Sequence, residues 1–145
     1  MLALTWSAPQ AAEPAGLLRD FGRGFLVIES SAQRCIFLDV YVATNRRQWQ
    51  QGLMHVRSMP LYEGMIFLYP EEREITMWMK NTYIPLDMVF AGSDNRVAHL
   101  HYDAVPHSEA VISSVAQVNQ VLELNAGAIK AFGIQPGDRL LLSAD

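Results

Sequence analysis

At 145 residues, half of them apolar and 18% charged, the chain has the size and composition of one folded domain, which excludes broad disorder. Its formal net charge is −4, and Arg46-Arg47 is the only adjacent basic pair, so there is no electrostatic footprint for nucleic acid. No apolar run approaches the roughly 20 residues of a membrane-spanning helix. A single cysteine, Cys35, can make neither an intrachain disulfide nor a thiolate metal site.

The segment from Met1 to Gly16 is rich in Ala and Pro and has neither helical nor strand period. Met1-Leu2-Ala3-Leu4-Thr5-Trp6 and the small residues after it look like the tail of a secretory signal, though a basic n-region and a clean A-x-A cleavage site are missing. Residues 1–23 are therefore expected to form a flexible arm, either the remnant of an export signal or a plain tail. Residues 24–145 are expected to form a single mostly β domain.

Phe25 to Glu29 reads as a strand, Ser30 to Gln33 as a turn, and Arg34 to Ala43 as a second strand, a spacing that predicts a hairpin. In the second strand Ile36, Leu38, Val40 and Val42 share one face; Cys35 is expected to be a buried, inert thiol. Thr44 is positioned to cap a helix from Asn45 to about Gln51, with Trp49 and Leu53 inward and Gly52 as its stop. A loop with Pro60 leads to the apolar run Gly64 to Tyr69, read as a strand covered on both faces and ended by Pro70. Glu71 to Glu74 then forms a solvated turn.

Ile75 to Met79 and Leu86 to Ala91 are two further strands, flanking a polar centre. Ser93-Asp94-Asn95 is a turn before a strand from Arg96 to Tyr102. Asp103 to Ala116, poor in long apolar residues, is expected to be a functional or mobile loop. Val118 to Leu124 is a strand. Asn125 is positioned to cap a helix from Ala126 to Phe132, closed by Gly133, and a type II turn at Pro136-Gly137 leads into a last strand, Arg139 to Leu142. Eight short strands, two short helices and no βαβ alternation predict a mainly β fold, a curled sheet or small partly closed barrel.

The centre of the chain, Met77-Trp78-Met79-Lys80-Asn81-Thr82-Tyr83-Ile84-Pro85-Leu86-Asp87, holds a cation, an amide, a hydroxyl, a proline and a carboxylate between two apolar strands. Lys80, Asn81 and Asp87 can form a ligand pocket beside Trp78, with Asp87 orienting the lysine. The competing reading is structural: Lys80 pairs with Asp87 across a tight turn while Asn81 and Thr82 satisfy loose backbone groups. Glu123 lies between Leu122 and Leu124 and projects to the face opposite them. If that face is covered its carboxyl needs a partner, for which Lys80 and Arg57 are the candidates.

His99, His101 and Asp103 alternate as a metal-ligating set would, but their neighbours describe an ordinary half-buried strand, and Met77 and Met79 are better explained as core than as a soft-metal site. No metal or cofactor is expected. A nucleophile–base pair, a phosphate loop and a dinucleotide fingerprint are all absent from the sequence, so no catalytic residue is assigned.

Several blocks in order resemble one family of bacterial and archaeal proteins, domain of unknown function 192. They are Gly52-Leu53-Met54 with Arg57, Gly64-Met65 leading into Phe67 and Pro70, Trp78 to Thr82 with Pro85-Leu86-Asp87, Leu122 to Gly127, and Gly133 to Asp138. The resemblance spans about Cys35 to Leu142 and implies a shared fold and a habit of export, but no activity. It places the protein in the periplasm or outside the cell, with the cytoplasm as the alternative. The expected function is a non-enzymatic envelope module that binds an unknown small molecule or protein partner through Arg57, Trp78, Lys80, Asn81, Asp87 and Glu123. The alternative is a hydrolase or lyase acting on a small polar or saccharide substrate, with Asp87 or Glu123 as acid or base, and a third is a structural interaction domain without a pocket. An acid–base enzyme should hold a carboxyl of raised pKa in a dry cleft, which a binder does not require.

Overall fold

The computed structural model describes residues 16–144. Along them run β1 (Gly22–Glu29), β2 (Cys35–Ala43), α1 (Arg46–Gln51), β3 (Glu63–Met77), β4 (Leu86–Ala91), β5 (Val97–Ala104), β6 (Ile112–Asn125), α2 (Ala128–Phe132) and β7 (Arg139–Ala144). The seven strands make one mixed sheet in the order β5-β4-β6-β3-β2-β1-β7. β2 and β3 run parallel, because α1 and the turns after it carry the chain back before β3 begins; the other neighbours are antiparallel. The sheet curls until its outer strands approach. Arg96 bridges Arg139, the Val97 N–H donates to the Asp138 carbonyl, and the Gly137 N–H donates to the Val97 carbonyl, both at 2.8 Å. The sheet nevertheless remains open.

Strand alternation sorts the apolar residues into two clusters, one on each face. Leu26, Ile28, Leu38, Val40, Ile66, Val89, Leu122 and Leu124 pack with Ile129 and Phe132 of α2 on one side of the sheet. Met65, Phe67, Met88, Phe90 and Val121 point the other way. They are covered by Leu53 and Val56 after α1, by Met79 and Ile84 of the central motif, and by Leu18 and Phe21. The sheet is thus clothed on both faces where β3, β6 and β4 lie together, and the functional question is what fills the second cover.

The β1–β2 hairpin forms as its spacing predicts, with Leu26 opposite Leu38 and Ile28 opposite Ile36. Several other expectations are corrected. Order does not begin at Gly24: Leu18 and Phe21 are buried, and Gln48 and Gln51 donate through their amides to the Asp20 and Leu17 carbonyls, both at 2.7 Å. The expected arm before Gly16 lies outside the described residues. Cys35 is exposed, since it is the first residue of β2 and faces away from Ile36 and Leu38. Asn45, not Thr44, caps α1; its side chain accepts from the Gln48 N–H at 3.1 Å.

Pro70 does not end a strand. β3 continues through it to Met77, and a register shift between Leu68 and Arg73 loops the proline and two glutamates out of the ladder, where no backbone donor is required. Two predicted strands therefore fuse, giving seven strands instead of eight. The expected loop from Asp103 to Ala116 shrinks to the stretch between Ala104 and Ile112, because β6 starts early and its serines find partners. The Ser114 hydroxyl accepts from the Ile75 N–H at 2.9 Å and donates to the Ala116 carbonyl at 2.7 Å.

Candidate functional site

The loop after β3 is held by backbone bonds from two other segments. The Met79 N–H donates to the Ser108 carbonyl at 2.8 Å, the His107 N–H to the Thr82 carbonyl at 3.1 Å, and the His55 N–H to the Asn81 carbonyl at 2.9 Å. Asn81, His55 and His107 all adopt left-handed backbone, with φ of 53°, 67° and 63°. Asparagine tolerates that conformation better than most residues, which explains the amide at this position. The Thr82 hydroxyl donates to the Lys80 carbonyl at 3.2 Å. The Thr82 side chain thus satisfies a backbone group of the loop, while Asn81 takes part through its backbone carbonyl and its left-handed conformation.

Asp87 is wholly buried, and both of its oxygens are engaged. One accepts from the Asp103 N–H at 3.0 Å, where β5 bulges, and the other from the Ile129 N–H at 2.9 Å, in the first turn of α2. This carboxylate, 42 positions away in sequence, serves the start of α2. Asn125 does not: its amide donates to the carbonyls of Met59 and Pro60 at 2.7 and 3.2 Å, and Gly127 occupies the cap position. Lys80 does not pair with Asp87 either; its ammonium sits 3.8 Å from Glu109 and 5.1 Å from the Trp78 ring centroid.

Strand parity explains the separation. In the ladder Asp87 faces Leu124 and the next pair is Met88 with Glu123, so the two carboxyls point to opposite faces of the sheet. Asp87 belongs to the α2 side. Glu123 belongs to the side covered by α1 and the motif, and there it borders a cavity of about 260 Å³. Gly64 on β3 permits this close packing, since a Cβ there would lie 2.7 Å from the Glu123 carbonyl.

Trp49, Phe67 and Tyr69 supply the aromatic lining of this cavity and Trp78 adds a ring that is 47% exposed. The Trp49 indole N–H donates to the Ala43 carbonyl at 3.1 Å and its ring lies 4.7 Å from that of Tyr69, so it is fixed in place. Three cations line the same space: Arg46 from α1, Arg73 from the far half of β3, and Lys80. The Arg73 guanidinium lies 5.3 Å from the Tyr69 ring centroid. A shallower depression of about 650 Å³ adjoins it between α1 and Gly16 to Asp20, and shares Trp78 and Lys80 with it.

Glu123 is only 4% exposed, and no hydrogen bond or ion pair from a described residue reaches its carboxyl. Burial without compensation disfavours its ionised form and pushes its pKa up to about 8, so at neutral pH it carries a proton. Burial, with the nearby Glu123 charge, pushes the Tyr69 phenol up to about 12. The floor of the cavity thus presents a neutral acid, and its lining presents fixed positive charge.

Of the six residues expected to act together, the structure brings Trp78, Lys80 and Glu123 to this cavity. Asp87 lies on the other face, Asn81 does not line the cavity, and Arg57 is exposed and lies 5.4 Å from the Tyr83 ring centroid. Neither Arg57 nor Lys80 pairs with Glu123. Trp49, Tyr69, Arg46 and Arg73 were missed by sequence reasoning. Trp49 could have been inferred from its inward position one turn before Leu53, whereas Arg73 looks like part of a solvated turn. Among the described residues no group of three or more His, Cys, Asp or Glu could hold a metal ion, and no helix is long and apolar enough to cross a membrane.

Two solved structures share this architecture. A protein of Sinorhizobium meliloti 1021 described as a candidate transcription regulator is 45% identical, with a TM-score of 0.83 over 84% of this chain and 95% of that one. A protein of unknown function from Novosphingobium aromaticivorans DSM 12444 is 29% identical, with a TM-score of 0.82 over 96% of this chain and 99% of that one. No curated protein matches. The profile of one family, DUF192 (uncharacterized ACR), matches residues 27–142, and the chain belongs to that family.

Proposed function

We propose that this domain is a small-molecule-binding module of the cell envelope and that the cavity over Glu123 is its site. The observation that carries the reading is Glu123, a buried residue whose carboxyl no described residue pairs with, bordering an open space walled by aromatic rings. A carboxyl without a protein partner at the edge of a cavity is available to a ligand that supplies the bond. A volume near 260 Å³ is at the small end for ligand pockets, which points to a metabolite-sized molecule. The envelope setting rests on the composition of the N-terminal segment, and fractionation of the native host tests it separately.

Thermal shift against panels of small acids, amines and sugars tests the site, with Thr76→Trp as control. Thr76 is exposed and lines the cavity, so the larger ring obstructs it without disturbing the core. A class of compound that raises the melting temperature of the wild type but not of Thr76→Trp is the expected result. Equal shifts in both proteins, or none in either, would sink the reading.

Acid–base catalysis is the second reading, favoured by the raised pKa of Glu123: a protonated carboxyl inside a cleft can deliver its proton to a leaving group. Turnover of a bound compound, abolished in Glu123→Gln with binding retained, would establish it. Nucleic acid stays outside this proposal because net charge −4 and scattered basic residues provide no phosphate-tracking stripe. A gel shift with duplex DNA at moderate salt would overturn that exclusion.

A further inference from the structure

The chemistry of the cavity also selects among ligands, an inference that rests on the binding reading above. We propose that the site takes a small organic carboxylate on a flat apolar body, one carboxylate oxygen accepting the Glu123 proton and the negative charge facing Arg46, Arg73 and Lys80. The polar inventory leads there. The floor offers one O–H donor, since a protonated Glu123 has no other acceptor among the described residues. An O–H···O⁻ bond between an acid and a carboxylate is among the stronger hydrogen bonds available to side chains.

Among the described residues Arg46 and Arg73 pair with no carboxylate, and Lys80 has only a loose ion pair with the exposed Glu109 at 3.8 Å. Positive charge lining the space repels an ammonium ligand and attracts an anion. Trp49, Phe67, Tyr69 and Trp78 favour a flat body such as an aromatic ring.

Protonation and binding are then linked. The ionisable and charged groups that line the cavity with Glu123 are Arg46 from α1, Tyr69 and Arg73 from β3, and Lys80 from the motif loop; β4 presents Met88, which does not titrate. Tyr69, at about 12, remains neutral across the working range. Glu123 changes state near pH 8. A bound carboxylate favours its protonated form, so affinity should be flat below about pH 7 and fall towards tenfold per unit above about pH 8.

The test is calorimetric titration of the full chain with benzoate and, separately, benzylamine, from pH 6 to 9.5. Benzoate binding that weakens above pH 8 in the wild type, with a flat profile in Glu123→Gln and no binding in Thr76→Trp, is the expected result. Gln keeps an N–H donor without a titrating proton, so it separates a hydrogen-bond role from bulk. Benzylamine binding to the wild type in place of benzoate, blocked in Thr76→Trp, would overturn the carboxylate assignment while leaving the binding site intact. Benzoate binding with the same pH profile in both wild type and Glu123→Gln would remove Glu123 from recognition and overturn the assignment as well. Failure of both probes would count against the carboxylate assignment and the site together.

Discussion

Replacing Glu123 by Gln should change how stability depends on pH. In the unfolded chain this carboxyl titrates near 4.5, and in the folded protein near 8, because burial excludes the ionised form. Between those values the folded state holds a proton that the unfolded state has released. Stability is therefore fully present below about pH 4.5 and is lost as pH rises, with the loss complete once pH passes about 8. Each unit of displacement is worth about 1.4 kcal/mol, so the wild type should lose about 3–4 kcal/mol from this group between pH 5 and pH 8. Gln is nearly isosteric with the protonated acid and does not titrate, so the difference between the two proteins isolates the effect from every other group. Urea denaturation at pH 5, 6, 7 and 8, with equal m-values in both proteins, is the measurement. A difference that stays constant within about 0.5 kcal/mol across that range would mean that water reaches the carboxyl freely, and the dry floor of the cavity would be refuted.

Two other substitutions probe the frame around the site. Asp87→Ala strands the Asp103 and Ile129 N–H groups, and should cost about 3–5 kcal/mol by chemical denaturation; a loss under about 1 kcal/mol would show that water replaces the carboxylate. Gly64→Ala sets a methyl group 2.7 Å from the Glu123 carbonyl and should cost about 1–3 kcal/mol, with a neutral result implying that β3 and β6 have room to part.

Much of the fold could be read from local pattern. The β1–β2 hairpin, the alternation in β2, the stop at Gly52 and the cross-sheet direction of Glu123 all follow from period and turn chemistry. Errors arose where a distant partner overrides a local signal. Pro70 looks terminal until β6 is seen to pair on both sides of a bulge around it. Asn125 has the chemistry of a cap, but the Asp87 carboxylate arrives from β4 to satisfy the start of α2. Leu18 and Phe21 belong to a stretch without period, and are buried because the side-chain amides of α1 hold that stretch down.

The candidate site was partly legible for the same reason. A dense polar motif marks a place where the chain does something other than pack, and Trp78 and Lys80 do reach the cavity. Which of Asp87 and Glu123 joins them depends on the register between β4 and β6, where a shift of one residue exchanges faces. No local pattern fixes that register. The aromatic and cationic walls come from α1 and from the part of β3 beyond its bulge, so they exist as a set only after folding.

The pairing of β1 with β7 also governs how the protein can be made. Leu26 meets Leu142 and Gly24 meets Ala144, so the first strand of the sheet finds one of its two neighbours only at the far end of the chain. During synthesis β1 waits with one edge unfilled until β7 emerges, after every other strand of the sheet. Contacts this remote in sequence slow the final ordering step, and the unfilled edge is open to a wrong partner in the meantime. Emergence of β7, more than that of any earlier helix or hairpin, is therefore the event that commits this sheet to its final form.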